Sequence, residues 1–148
     1  MARTYNQLGV LAYFREDYTA ARRFYEQSLN EHRTLDERGF RDVAGLNGIL
    51  ANLGELALQM YDYAQAQVYL REALELGTAR YGSDSEATAF ERVNLAMACA
   101  AQKFRDDGLG AETVAARVEQ WLDTYASGDG DPDQIAALQA ELQPFFEK

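Results

Sequence analysis

The sequence predicts an all-α fold of successive helical hairpins, and two observations support this prediction. First, the chain resembles itself when it is shifted by 45 residues, because Leu8-Gly9 then aligns with Leu53-Gly54. The same shift places Asp17-Tyr18 on Asp62-Tyr63. Second, small and apolar residues recur at helical spacing in both copies. Both observations indicate repeated units that each contain two helices.

Each copy is predicted to form a helix, a tight turn and a second helix. Asp17 and Asp62 follow the polar breaks at 15–17 and 60–62, where a carboxylate can accept a hydrogen bond from an unpaired backbone amide. Gly9 and Gly54 lie inside the first helices, where glycine costs ~1 kcal/mol relative to alanine. We expect close approach of the second helix to compensate for this cost.

A third, divergent copy and a terminal helix are predicted after these two. Leu95-Ala96 occupies the place of the Leu-Gly pair, Cys99 takes the small-residue position, and an insertion of six residues restores the later match. Pro132 begins a last amphipathic helix that would cap the stack. The predicted organisation is a single domain, 1–148, with repeats at 3–33, 41–79 and 85–127 and a capping helix at 132–146.

The positions that match between the two clear copies resemble the tetratricopeptide repeat over residues 5–77. The first copy reads Tyr5, Leu8, Gly9, Ala12, Ala21, Tyr25 and Ser28, and the second reads Leu50, Leu53, Gly54, Ala57, Ala66, Leu70 and Ala73. The resemblance implies a tetratricopeptide-like α-α superhelix of about three hairpins plus a C-terminal capping helix. It also implies a protein- or peptide-binding module that is not an enzyme.

The units are longer than those of most members of this family. Their spacing of 42–45 residues exceeds the usual length of about 34, and we expect the extra residues to follow the second helix, at 32–41 and 79–86. Such units are similar to those of kinesin light chains and of the repeat arrays of bacterial STAND-type ATPases and MalT-like or LuxR-type regulators. This similarity implies the C-terminal sensor fragment of a signalling regulator. Met1-Ala2 leads almost directly into the first repeat, which suits an excised piece, while a short natural adaptor protein stays open.

The resemblance also implies a concave groove lined by the first helix of each pair. Its predicted residues are Arg3, Asn6, Val10, Tyr13, Gly48, Ala51, Asn52, Glu55, Leu58, Val93, Asn94, Met97 and Ala100. Asparagine amides there can bond the backbone of a ligand, and Tyr13, Leu58 and Met97 are the expected apolar anchors. The alternative that Leu58 and Met97 belong to the core between repeats stays open, because periodicity does not separate the two.

Composition excludes several other functions. The net charge of −10 disfavours binding to nucleic acid and to anionic membrane surfaces. A single cysteine, Cys99, and a single histidine, His32, which we place in an inter-repeat loop, argue against a metal centre and a cysteine nucleophile. No catalytic or cofactor site is predicted, and the chain is expected to be cytoplasmic. The remaining alternative is a self-associating scaffold, a homodimer formed through Tyr5 and Leu8 of the uncapped first repeat.

Overall fold

The computed structural model describes residues 1–82, 85, 88–110 and 116. These residues form five α-helices and no β-strand, which confirms the predicted all-α class. The helices are α1 (Ala2–Phe14), α2 (Tyr18–Glu37), α3 (Val43–Gln59), α4 (Tyr63–Tyr81) and α5 (Ala89–Asp106). The second helix of the third repeat and the capping helix at 132–146 lie outside the described residues.

The first four helices form two hairpins that pack in series. Hairpin 1 consists of α1 and α2, hairpin 2 consists of α3 and α4, and α2 packs against α3. Each second helix begins at a capped turn, because Asp17 accepts a 3.0 Å hydrogen bond from the backbone amide of Ala20. Asp62 accepts the equivalent bond from Gln65 at 3.2 Å. Both predicted N-caps are confirmed.

The two hairpin turns share an uncommon backbone conformation. Glu16 and Tyr61, which are 45 residues apart, have φ values of 60° and 59°. A non-glycine residue adopts this left-handed region at a cost of roughly 1 kcal/mol. Equivalent backbone hydrogen bonds close both turns, since the amide of Asp17 donates to the carbonyl of Ala12 and the amide of Asp62 donates to that of Ala57. The repetition therefore extends to the backbone angles of the turn.

The core between the hairpins is supplied mainly by α3. Its largest fully buried side chains include Ile49, Leu50, Leu53 and Leu56. Helix α3, which packs against both α2 and α4, is the most apolar of the five helices. Eight of its seventeen residues are buried.

Both helical glycines are places of close approach between helices. A Cβ atom added at Gly9 would overlap the ring of Tyr25, and one added at Gly54 would lie 2.5 Å from Cγ of Leu70. Tyr25 and Leu70 are equivalent positions of the two second helices. The compensation expected for the glycines is thus confirmed in both hairpins.

The second helices are longer than the sequence predicted. Residues 32–37 continue α2 and residues 79–81 continue α4, so the expectation that these residues follow the helix is wrong. Helix α2 contains no glycine or proline that would stop it, and its chain leaves the helix only at Gly39, which has a φ of +84°. His32 consequently lies on α2, half-buried against Gly45, and not in a loop.

The chain divides into two compact units, Met1–Leu95 and Ala96–Lys148. The first contains both hairpins and the beginning of α5. In the described part of the second, the end of α5 buries four alanines and Cys99. The expected packing position of Cys99 is confirmed, whereas the single-domain organisation stays a prediction.

Candidate functional site

The first helices of the two hairpins are joined by two side-chain hydrogen bonds. Asn52 donates from Nδ2 to Oδ1 of Asn6 over 2.9 Å. The hydroxyl of Tyr13 donates to Oε1 of Glu55 over 3.2 Å. The structure thus brings four of the predicted groove residues together, and we call the surface formed by Asn6, Tyr13, Asn52 and Glu55 the α1–α3 face.

The two asparagines of this face retain hydrogen-bonding capacity. Their mutual bond uses one of two N–H donors of Asn52 and one acceptor position of Asn6, whereas each side-chain amide offers two donors and a carbonyl oxygen. Both side chains are half-buried, so they are accessible yet held in position. An amide pair of this kind can bond the peptide groups of an extended or helical ligand.

Tyr13 is held as a neutral hydrogen-bond donor. Burial and the negative charge of Glu55 raise the pKa of Tyr13 to about 12 from the ordinary 10.0. Its ring lies 5.8 Å from that of Tyr18 and 5.9 Å from that of Phe14, the latter in an edge-to-face arrangement. The hydroxyl therefore stays protonated at neutral pH while the ring belongs to an aromatic cluster.

Phe14 is an addition to the residues that the sequence singled out. Its side chain is 79% exposed although it contacts the ring of Tyr13. An exposed aromatic residue beside a polar face is a common anchor for binding. The available signal was the density of aromatic residues, since five of them lie between positions 13 and 25.

The other predicted residues of the two hairpins differ in accessibility. Arg3 is exposed on α1, and Gly48 and Leu58 are half-buried on α3. Val10 packs against the core cluster, and Ala51 is buried. Ala51 consequently offers no side chain to a ligand, because its methyl group already lies inside the protein.

The predicted residues of the third copy all lie on α5. Val93 and Met97 are half-buried, and Ala100 is buried. Asn94 is buried, and its Nδ2 has no hydrogen-bond partner in the described part of the chain. Val93 and Asn94 belong to the first compact unit, and Met97 and Ala100 to the second.

Few cations accompany these residues. Arg92, which lies next to the predicted groove positions of α5, donates a 3.3 Å hydrogen bond to the backbone carbonyl of Ser85. Arg3 is the cation that the predicted groove contributes from α1. This charge distribution gives no support to a cluster of cations that would hold a terminal carboxylate.

Among the residues that the structure describes, no three or more histidine, cysteine or acidic side chains form a group that could hold a metal ion. None of the described helices has the length and apolarity required to cross a membrane.

Comparison with known proteins bears on the repeat itself. A family model for the tetratricopeptide repeat matches residues 1–35 and 48–87, which together make up just over half of the chain. No curated protein and no solved structure gave a significant match. The matched segments cover α1, nearly all of α2, most of α3 and all of α4. Tetratricopeptide repeats generally mediate protein–protein interaction and are not enzymes. The chain belongs to the tetratricopeptide repeat family.

Proposed function

We propose that this chain is a protein–peptide interaction module whose ligand binds along the α1–α3 face. The observation that carries the proposal is the pair of hydrogen bonds that fix Asn6, Asn52, Tyr13 and Glu55 in one row across two hairpins. Side chains that are already ordered lose little entropy when a ligand binds, so more of the contact energy becomes affinity.

The ligand is an extended or helical peptide with at least one apolar side chain. The asparagine pair would bond its backbone, and Phe14 would supply the main apolar contact next to Tyr13. Each buried anchor contributes ~1.5–3 kcal/mol before the ordering of the ligand is subtracted. Leu58, Val93 and Asn94, which belong to the same compact unit as the two hairpins, would extend the binding surface toward the third copy.

The charge of the face favours an internal peptide segment over a free C-terminus. Glu55 belongs to this face and accepts the hydrogen bond of Tyr13. A ligand carboxylate placed there would meet this negative charge, and like charges at short distance destabilise a complex. Neutral and basic peptides avoid this repulsion.

Phe14 permits a matched test of the binding surface. Peptides selected from a random display library on the complete chain would be synthesised, and their dissociation constants measured by fluorescence anisotropy. Phe14→Ala should weaken binding at least tenfold, because an anchor of ~1.5–3 kcal/mol is lost. Phe40 is 71% exposed, similar to the 79% of Phe14, but it lies outside the α1–α3 face. Phe40→Ala is therefore the control. Equal affinities of the two variants would contradict the assignment.

The asparagines and the peptide terminus give a second test. Asn52→Ala should weaken the selected peptides, whereas Asn30→Ala, at an exposed asparagine of α2, should leave them unchanged. Amidation of the peptide C-terminus should preserve or strengthen binding. Strict dependence on a free carboxylate would overturn the proposed ligand class.

We propose further that the module is the sensor part of a cytoplasmic signalling regulator, with a stand-alone adaptor as the alternative. The long repeat units, spaced by 42–45 residues, support this origin. An antibody raised against the chain distinguishes the two in an immunoblot of source cells. A much larger band is expected for a regulator, and a single band near 16.6 kDa would refute it.

A further inference from the structure

The outer side of hairpin 1 exposes an apolar surface away from the α1–α3 face. Leu8 and Leu11 on α1 are 38% and 57% exposed. With Ala20 and Phe24 of α2 they line a depression of about 220 Å³, which also includes Arg15 and Asp17. We call this surface, formed by Leu8, Leu11, Arg15, Asp17, Ala20 and Phe24, the end face of hairpin 1.

The repeat shows what kind of contact this surface is built for. The 45-residue shift places Leu8 on Leu53 and Leu11 on Leu56, and these two leucines are only 2% and 1% exposed. Both belong to the core cluster, which also contains Ala12, Ala21, Tyr25 and Leu29 of hairpin 1, and α2 packs against α3. The end face therefore has the leucines of a hairpin-to-hairpin interface, but no helix among the described residues covers it.

The distribution of charge indicates which occupant suits this surface. Residues 1–37 contain five arginines and six acidic residues, so hairpin 1 carries −1 of the net charge of −10. The residues outside 1–37 carry most of the negative charge, so two copies of the chain repel each other there. A contact between the two nearly neutral first hairpins keeps this repulsion smallest. Arg15 and Asp17 also lie on the same surface, so a twofold axis can place opposite charges against each other.

We propose that the end face of hairpin 1 binds the same face of a second copy, so that the chain forms a twofold symmetric dimer. Leu8 and Leu11 of each copy meet their counterparts across the twofold axis of this dimer. The dimer uses a different side of α1 from Asn6 and Tyr13, so it does not depend on the proposed peptide-binding function.

The dimer is tested with two glutamate substitutions at matched positions of the complete chain. Sedimentation equilibrium should give twice the monomer mass of 16.6 kDa for the wild type. Leu11→Glu should weaken dimerisation at least tenfold, because it places two like charges in an apolar contact. Val68 on α4 is 58% exposed and Leu11 is 57% exposed. Val68→Glu therefore adds the same charge at an equally exposed position outside the end face, and it should leave the dimer intact.

A second pair of variants keeps the proposal open to refutation even where Leu11→Glu disturbs folding. Arg15→Glu should weaken the dimer because the new carboxylate meets Asp17 of the second copy, whereas Arg38→Glu, at the far end of α2, should not. Circular dichroism establishes that each variant is helical. A monomeric wild type at about 0.1 mM would overturn the proposal. The proposal also fails if Leu11→Glu and Val68→Glu weaken dimerisation equally and Arg15→Glu and Arg38→Glu do so as well. Oligomers larger than the dimer would overturn it too, because they indicate head-to-tail association.

Discussion

Asn52 donates a 2.9 Å hydrogen bond to the side chain of Asn6, which lies 46 residues earlier in the chain. The bond connects α1 to α3, the first helices of the two hairpins. It therefore fixes the position of one hairpin along the other in addition to shaping the proposed binding surface. A side-chain bond between half-buried amides is expected to contribute about 0.5–1.5 kcal/mol net.

The coupling of these two asparagines can be measured by a double-mutant cycle. Asn6→Ala, Asn52→Ala and the double variant should show an interaction of about 0.5–1.5 kcal/mol in urea unfolding, because the second substitution removes a partner that is already lost. Asn30→Ala combined with Asn52→Ala should be additive within about 0.5 kcal/mol. Additivity of the Asn6 and Asn52 substitutions would show that the bond contributes nothing.

Two glycines of α3 are predicted to respond in opposite directions to alanine. Gly54→Ala should destabilise the protein by roughly 1–3 kcal/mol, because the new methyl group would lie 2.5 Å from Cγ of Leu70. Gly48 has no atom within 4 Å of such a methyl group, so Gly48→Ala should stabilise the helix by about 0.5–1 kcal/mol. Thermal and urea unfolding check both values. A stabilising Gly54→Ala would contradict the close packing of α3 on α4.

Local chemistry was sufficient to predict the hairpins. The caps at Asp17 and Asp62 and the glycines at 9 and 54 depend on neighbouring residues and on the repeat, so they are visible in the sequence. The end of α2 was predicted too early, although residues 32–37 contain no glycine or proline that would end a helix. Glycine at 39 stops α2.

The sequence predicted which positions of the first helices form the site, but not which side chains pair with each other. Helical spacing placed Asn6, Tyr13, Asn52 and Glu55 on the first helices, but not the pairing of Asn6 with Asn52 or of Tyr13 with Glu55. These pairs depend on the rotation of α1 against α3, which is set by packing between hairpins. Val10 is half-buried against the core cluster, and periodicity alone does not distinguish such a position from an exposed one.

The N-cap of α4 can be separated from the ion pair that the same residue makes. Asp62 caps Gln65 and also lies 3.5 Å from the guanidinium of Arg22. Asp62→Ala should lower the free energy of unfolding by about 1 kcal/mol more than Asp62→Asn, since asparagine is an equally good cap. Asp36→Ala removes only an exposed pair with Arg41 and should change stability by less than about 0.5 kcal/mol. Equal losses in the two Asp62 variants would assign the effect to the ion pair.

Tyrosine burial predicts a loss of stability in alkali. Burial and the charge of Glu55 raise the pKa of Tyr25 to about 12, as they do that of Tyr13, whereas the ordinary value is 10.0. Between these values the unfolded chain releases protons that the folded chain retains, so the stabilisation present below pH 10 is lost as the pH rises toward 12. Burial raises the pKa of Tyr69 as well, so Tyr69 adds to the same alkaline loss of stability.

The prediction is checked by urea unfolding at several pH values from 8 to 11.5, followed for the wild type and two phenylalanine variants. Tyr25→Phe should flatten the alkaline decline, because the variant has no hydroxyl proton to lose at the buried position. Tyr81→Phe, at a tyrosine that is 48% exposed, controls for the removal of a hydroxyl as such. Since Tyr13 retains its own raised pKa in both variants, part of the decline should remain in Tyr25→Phe. The prediction fails if the free energy of unfolding declines equally steeply with pH in all three proteins. Tyr25 would then ionise in the folded state as readily as in the unfolded chain, and its tight packing against Gly9 would not exclude the charged form.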